Sequence, residues 1–203
     1  MVAVKICGVR TPEDAQHAVD AGADAIGLNF YPGSKRHVSL EAAKAIVDAI
    51  AERALTVGVF VDMPIAEVMR VREQTGIVCV QLHGDESPAD LERLLPHAYK
   101  AVRVKGPQAL LEASRFGGEH VMLDAYVKGS PGGTGATFDW AVAAELAHTR
   151  KVTLAGGLTP DNVGQAVQSV RPFCVDVASG VESSPGVKDR TLVDAFIRNA
   201  RSA

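Results

Sequence analysis

The sequence predicts an α/β chain, a single-domain (β/α)8 TIM barrel of parallel strands over residues 1–203. Three observations predict it. Eight short apolar runs alternate with helical segments, which is the pattern of repeated strand–helix units. The polar residues of these runs share one strand face and gather toward the C-terminal ends, where such barrels keep their chemistry. The turn after the first run is Cys7-Gly8-Val9-Arg10, without the Gly-x-Gly-x-x-Gly signature that an open dinucleotide-binding sheet would show there.

The strand-like runs cover 2–7, 24–30, 55–61, 78–83, 99–105, 120–125, 152–156 and 174–179, each rich in Val, Ile, Leu or Ala. Helical patterning fills the intervals. In 39–51, Leu40, Ala43, Val47 and Ile50 fall on one stripe, with Ile46 beside it. Three helix starts repeat one recipe: Thr11-Pro12-Glu13-Asp14, Ser87-Pro88-Ala89-Asp90 and Thr159-Pro160-Asp161-Asn162. The hydroxyl at N-cap accepts an orphan N–H. Proline at N1 gives up a bond it never needed, and the acid faces the positive end of the dipole.

Composition narrows the function classes. Hydrophobic residues make up 47% and charged residues 22%, with a formal net charge of −3 and no long run of one sign. That balance argues against nucleic acid as a partner and leaves room for a small-anion pocket. No apolar stretch has the length of a membrane span, and the first residues lack a signal-peptide pattern, so a cytoplasmic protein is expected. Cys7, Cys79 and Cys174 are odd in number and far apart, which favours reduced thiols. The six histidines show no metal-ligand spacing, so no metal is implied. Monomer and homodimer both remain open.

Strand parity selects the residues that look into the barrel. Lys5 and Cys7 share a face, as do Cys79, Gln81 and His83; Asp124 lies opposite Val121 and Leu123, and Asp176 and Ala178 lie opposite Val175 and Val177. Cys7, His83 and Asp124 then stand nearest the upper rim. Buried charges need partners, so Lys5, Arg103, Asp124 and Asp176 form either a ring of structural ion pairs or a substrate site. Residue type alone favours Cys7 as a small buried apolar group. Its strand-end position, with Lys5 on the same face, favours a thiolate. Cys79 and Cys174 read as structural. His120, at the start of its strand, belongs to the stability face.

Two glycine-marked turns read as phosphate binders: Ala155-Gly156-Gly157-Leu158 after strand seven and Ser179-Gly180-Val181-Glu182 after strand eight. Backbone N–H groups there, with a short helix N-terminus, commonly hold phosphate in barrels. A third loop, 128–135, lacks the Gly-Lys-Ser/Thr ending of a nucleotide loop and reads as a flexible lid beside Asp124, the other reading being a plain surface loop.

Taken in order, several segments resemble the phosphoribosylanthranilate isomerase family. They are Val4-Lys5-Ile6-Cys7-Gly8, Tyr31-Pro32-Gly33-Ser34-Lys35-Arg36, Gln81-Leu82-His83-Gly84, Leu123-Asp124, Gly132-Gly133-Thr134-Gly135 with Phe138-Asp139-Trp140, Ala155-Gly156-Gly157-Leu158 and Asp176 through Glu182. Ala178 departs from the serine the family often has there. The resemblance implies a cofactor-free Amadori rearrangement of N-(5-phosphoribosyl)anthranilate, a phosphorylated sugar-anthranilate substrate, in tryptophan biosynthesis. It makes Asp124 the acid that protonates the ring oxygen and Cys7, as thiolate, the base at the adjacent sugar carbon. Such a base asks for a thiol held below its free value of about 8.5. Arg36 would fork onto the anthranilate carboxylate, the other reading being a solvated loop cation between Lys35 and His37. Gln81, His83, Asp176, Gly156, Gly157, Ser179 and Gly180 complete the substrate-binding set. The related isomerase of histidine biosynthesis is disfavoured, since aspartate takes the place of Cys7 in that family and no second phosphate site is evident. A barrel that binds phosphorylated ligands without turnover is the remaining alternative.

Overall fold

The computed structural model describes residues 1–104, 106, 108–125 and 140–203. Eight parallel strands close on themselves in sequence order. They are β1 (Ala3–Cys7), β2 (Ala25–Asn29), β3 (Leu55–Phe60), β4 (Cys79–Leu82), β5 (Ala98–Val104), β6 (His120–Ala125), β7 (Lys151–Leu154) and β8 (Cys174–Val177). Closure is completed by β1 pairing with β8, Lys5 standing opposite Asp176. Each expected strand is present, with ends displaced by no more than two residues.

The helices are α1 (Pro12–Asp20), α2 (Leu40–Ile50), α3 (Ile65–Thr75), α4 (Pro88–Glu92), α5 (Gln108–Ser114), α6 (Trp140–Ala147), α7 (Val163–Val170) and α8 (Arg190–Arg201). Their starts follow local chemistry. Thr11 Oγ1 accepts the Asp14 N–H at 3.2 Å, and Ser87 and Asp90 cap each other reciprocally. In α2, Ser39 caps the first turn while Ala43, Ile46 and Ile50 are buried; Ile46 lies on the stripe rather than beside it.

The third expected cap is a correction. Thr159 caps nothing, and α7 begins only at Val163. Asn162 spends its side chain on the loop instead, accepting the Thr159 N–H at 2.8 Å and donating to the Gly157 carbonyl at 2.9 Å. Those bonds tie the turn to the glycine pair before it, at the upper rim of the barrel.

Alternation along the strands divides the core into two layers. Val4, Ile6, Val80, Leu82, Val121, Leu123, Val175 and Val177 face outward into the large cluster shared with the helices. Ala25, Val57, Tyr99, Ala101, Met122 and Ala155 fill the interior. After β8 the chain makes a short 3-10 turn (Ser179–Val181) and an unanticipated hairpin of β9 (Glu182–Ser184) and β10 (Val187–Lys188).

Candidate active site

Because β-strand parity also sends polar residues inward, the barrel floor carries a buried polar group beside the apolar interior cluster. Lys5, 2% exposed, donates to Asp176 Oδ1 and Gln81 Oε1, each at 2.9 Å. Tyr99 donates to the same Gln81 oxygen at 2.9 Å. Burial alone would lower the Lys5 ammonium, but Asp176, then Cys7 and Tyr99, outweigh it and hold its pKa well above the ordinary value. Lys5 therefore belongs to an interior ion pair. Arg103 does not join it: from the rim it donates to the His83 carbonyl at 2.9 Å.

Above this floor opens a cavity of about 380 Å³. Of the residues expected at the site, Cys7, Arg36, Gln81, His83, Asp124, Gly156, Gly157, Asp176 and Ser179 all line it. Gly180 does not. A Cβ there would lie 1.9 Å from the Leu158 carbonyl oxygen, so Gly180 lets the turn after β8 lie against the turn after β7. The two turns are thus packed together, and Gly156 and Gly157 take left-handed φ values of +88° and +67° that favour glycine.

His83 bridges floor and rim. Its Nε2 lies 3.1 Å from Asp124 Oδ2 and its Nδ1 lies 2.9 Å from Gln81 Nε2. The turn behind it is pinned by a buried pair, Lys100 donating to Glu86 at 3.1 Å and to the Gly84 carbonyl at 2.7 Å. Glu86 in turn accepts the Gly84 and Asp62 N–H groups. Lys100 lies on the outer strand face, so parity gave no reason to connect it with the site.

Cys7 is 9% exposed at the end of β1. The expectation of a lowered thiol is corrected. Burial pushes the Cys7 pKa up and Asp176 adds to that; Lys5 and Lys188 pull it down without reversing the sign. The same burial pushes Cys79 up to about 11 and Cys174 up to about 12, in keeping with structural thiols. His120, at the opposite end of the barrel, is lowered to about 4 by burial and by Lys5, Lys151 and Arg150.

Arg36 is not a solvated loop cation. Its stem crosses Gly8, where a Cβ would meet Cδ at 2.4 Å, and its Nε and Nη2 fork onto Glu182 at 2.7 and 2.8 Å. Lys188 donates to the same Glu182 at 3.0 Å and to the Ala178 carbonyl at 2.9 Å. Sequence reasoning missed Glu182 as the partner of Arg36, and Lys188 as the second cation on that carboxylate, because 146 residues separate Arg36 from Glu182 and the hairpin carries no strong pattern. The glycine-rich loop 128–135, with Phe138 and Asp139, lies outside the described residues. Among the described residues, no three His, Cys, Asp or Glu side chains are grouped to hold a metal ion.

A thiol, a carboxyl group and a cation gather around one barrel mouth beside two joined glycine turns, an arrangement able to serve acid–base chemistry on a small anionic molecule. Comparison with known proteins gives the family. Residues 4–199 match the family described as N-(5'phosphoribosyl)anthranilate (PRA) isomerase. The chain is 46% identical to the N-(5'-phosphoribosyl)anthranilate isomerase of Geobacter sp. (strain M21), covering 99% of this chain and 98% of that one. A crystal structure of the Thermotoga maritima phosphoribosyl anthranilate isomerase is 38% identical over the whole of both chains, with a TM-score of 0.92. Another solved structure, of a phosphoribosyl anthranilate isomerase in complex with reduced 1-(o-carboxyphenylamino)-1-deoxyribulose 5-phosphate, is 37% identical over both whole chains, with a TM-score of 0.89. The chain belongs to the phosphoribosylanthranilate isomerase family.

Proposed function

We propose that this chain converts N-(5-phosphoribosyl)anthranilate to 1-(2-carboxyphenylamino)-1-deoxyribulose 5-phosphate, the Amadori step of tryptophan biosynthesis, without a cofactor. The observation that carries the reading is that Cys7 and Asp124, from β1 and β6, open onto one cavity together with both glycine turns. The chemistry needs an acid and a base at different atoms of one sugar. Asp124 gives its proton to the furanose ring oxygen, the ring opens, and an iminium forms. Cys7 then acts through its thiolate, a form that burial disfavours and Lys5 and Lys188 favour; it takes the proton from the neighbouring sugar carbon, and the enolamine relaxes to the ketone.

The substrate is anionic at both ends, and the cavity offers a reception for each. Gly156, Gly157 and Ser179 suit the phosphate, with Gly180 holding the two turns together. Arg36 suits the anthranilate carboxylate. Its Nε and Nη2 are held by Glu182, which fixes the guanidinium plane and leaves Nη1 as the nitrogen not engaged by that fork. Asp176 borders the cavity while anchoring Lys5. The reaction is assigned to a single chain, in monomer or homodimer, and to the cytoplasm; no helix among the described residues is long and apolar enough to cross a membrane.

The deciding experiment follows the fluorescence of anthranilate-linked substrate with purified protein, with the histidine-pathway aminoaldose bis-phosphate alongside. Turnover of the first and not of the second is expected. Binding of the first without turnover would instead make the chain an idle ligand-binding barrel.

A further inference from the structure

Gln81 is 1% exposed and its amide is spent inside the protein. Lys5 Nζ carries donors only, so the Gln81 atom 2.9 Å from it must be the oxygen, and the Tyr99 hydroxyl donates to that same atom. The amide nitrogen is thereby turned toward His83 Nδ1 at 2.9 Å. A nitrogen that receives an N–H carries no proton of its own. The imidazole proton then sits on Nε2, which lies 3.1 Å from Asp124 Oδ2. Every hydrogen bond along this row follows from one fact, that an ammonium group cannot accept.

We infer that Gln81 is a positioning residue that locks His83 in its Nε2–H tautomer, so that His83 orients Asp124 through Oδ2 and presents Oδ1 as the oxygen carrying the transferable proton. The inference rests on the reading of Asp124 as the acid of the isomerisation. It assigns Gln81 a role in kcat rather than in substrate contact. An uncharged imidazole matters here, because an imidazolium beside Asp124 would hold the carboxylate ionised and withdraw the proton the reaction needs. Charged and titratable groups around the row are Lys5 from β1, Tyr99 and Arg103 from β5, Asp124 from β6 and Asp176 from β8. Lys5 and Tyr99 direct their donors to the Gln81 oxygen, and Arg103 donates to the His83 carbonyl, which leaves the Gln81 amide as the donor at Nδ1.

The test joins a spectroscopic readout to kinetics. In ¹⁵N-labelled wild-type protein without substrate, long-range proton–nitrogen correlation should show His83 with an unprotonated Nδ1 and a protonated Nε2. Gln81→Met keeps the length of the side chain and cannot donate, so kcat should fall about tenfold with KM within about twofold. Gln81→Glu places an acceptor at Nδ1, so that nitrogen should become protonated and kcat should fall at least as far. A protonated Nδ1 in the wild type, undiminished kcat in Gln81→Met, or a loss confined to KM would each overturn the assignment. The wild-type spectrum needs neither a folded variant nor turnover, so it separates failure of this lock from failure of the proposed activity.

Discussion

Glu182→Ala removes one carboxylate shared by two cations, and its cost can be worked from the geometry. The Glu182 and Lys188 side chains are 4% and 3% exposed, and Arg36 is 15% exposed. Lys188 keeps the Ala178 carbonyl but loses its counter-charge. Breaking a buried pair by removing one partner costs about 3–5 kcal/mol, against at most about 1 kcal/mol for a solvated surface pair. A chain of this length loses about 2–4 °C in Tm per kcal/mol, so calorimetry at pH 7.5 should show a fall of about 6–20 °C. A fall under about 4 °C would mean that water already screens the cluster, and the reasoning fails. Glu182→Gln adds a check on sign. Burial would raise the Glu182 carboxyl, but the Arg36 fork and Lys188 outweigh it, and its pKa is held below the ordinary value. A carboxylate depressed in the folded state contributes stability above its unfolded pKa and loses it as pH falls through the folded one. The Tm gap between wild type and Glu182→Gln should therefore be full near neutrality and shrink below about pH 4. A gap that widened toward acid would contradict the pairing.

Other outcomes follow from the same geometry. Cys7→Ala and Asp124→Asn should each lower turnover at least about 10²-fold with the barrel still folded by circular dichroism; full activity in either removes that residue from the mechanism. In a Cys79→Ser/Cys174→Ser background, alkylation of Cys7 should titrate with a midpoint above the free-thiol value of about 8.5, because burial dominates. Lys5→Met should move that midpoint higher still, and a wild-type midpoint near 7 would show that the cations win instead. Arg36→Ala should act mainly on KM, with unchanged KM arguing that Arg36 serves only to hold Glu182.

What was legible in the sequence was whatever depends on neighbours in the chain. Strand parity put Lys5, Cys7, Gln81, His83, Asp124 and Asp176 on the interior face, since alternation is a property of any extended backbone. Hydroxyl–proline–acid starts placed α1 and α4, because a cap needs only four consecutive residues. The same recipe failed at Thr159, where Asn162 found partners in the preceding glycine turn. Family resemblance supplied roles for Cys7, Asp124 and Arg36 that residue type left open.

The tertiary structure alone decided which charges meet. Lys5 and Asp176 stand 171 residues apart and become neighbours when β1 closes against β8. Closure also set the Cys7 environment: Lys5 neighbours the thiol within β1 itself, but the closed ring adds Asp176 and desolvation, and the balance of those opposed effects depends on distance and burial that no spacing encodes. Glu182 shows the same division. A sequence records that a carboxylate exists, while only the folded chain determines whether it faces water or two cations.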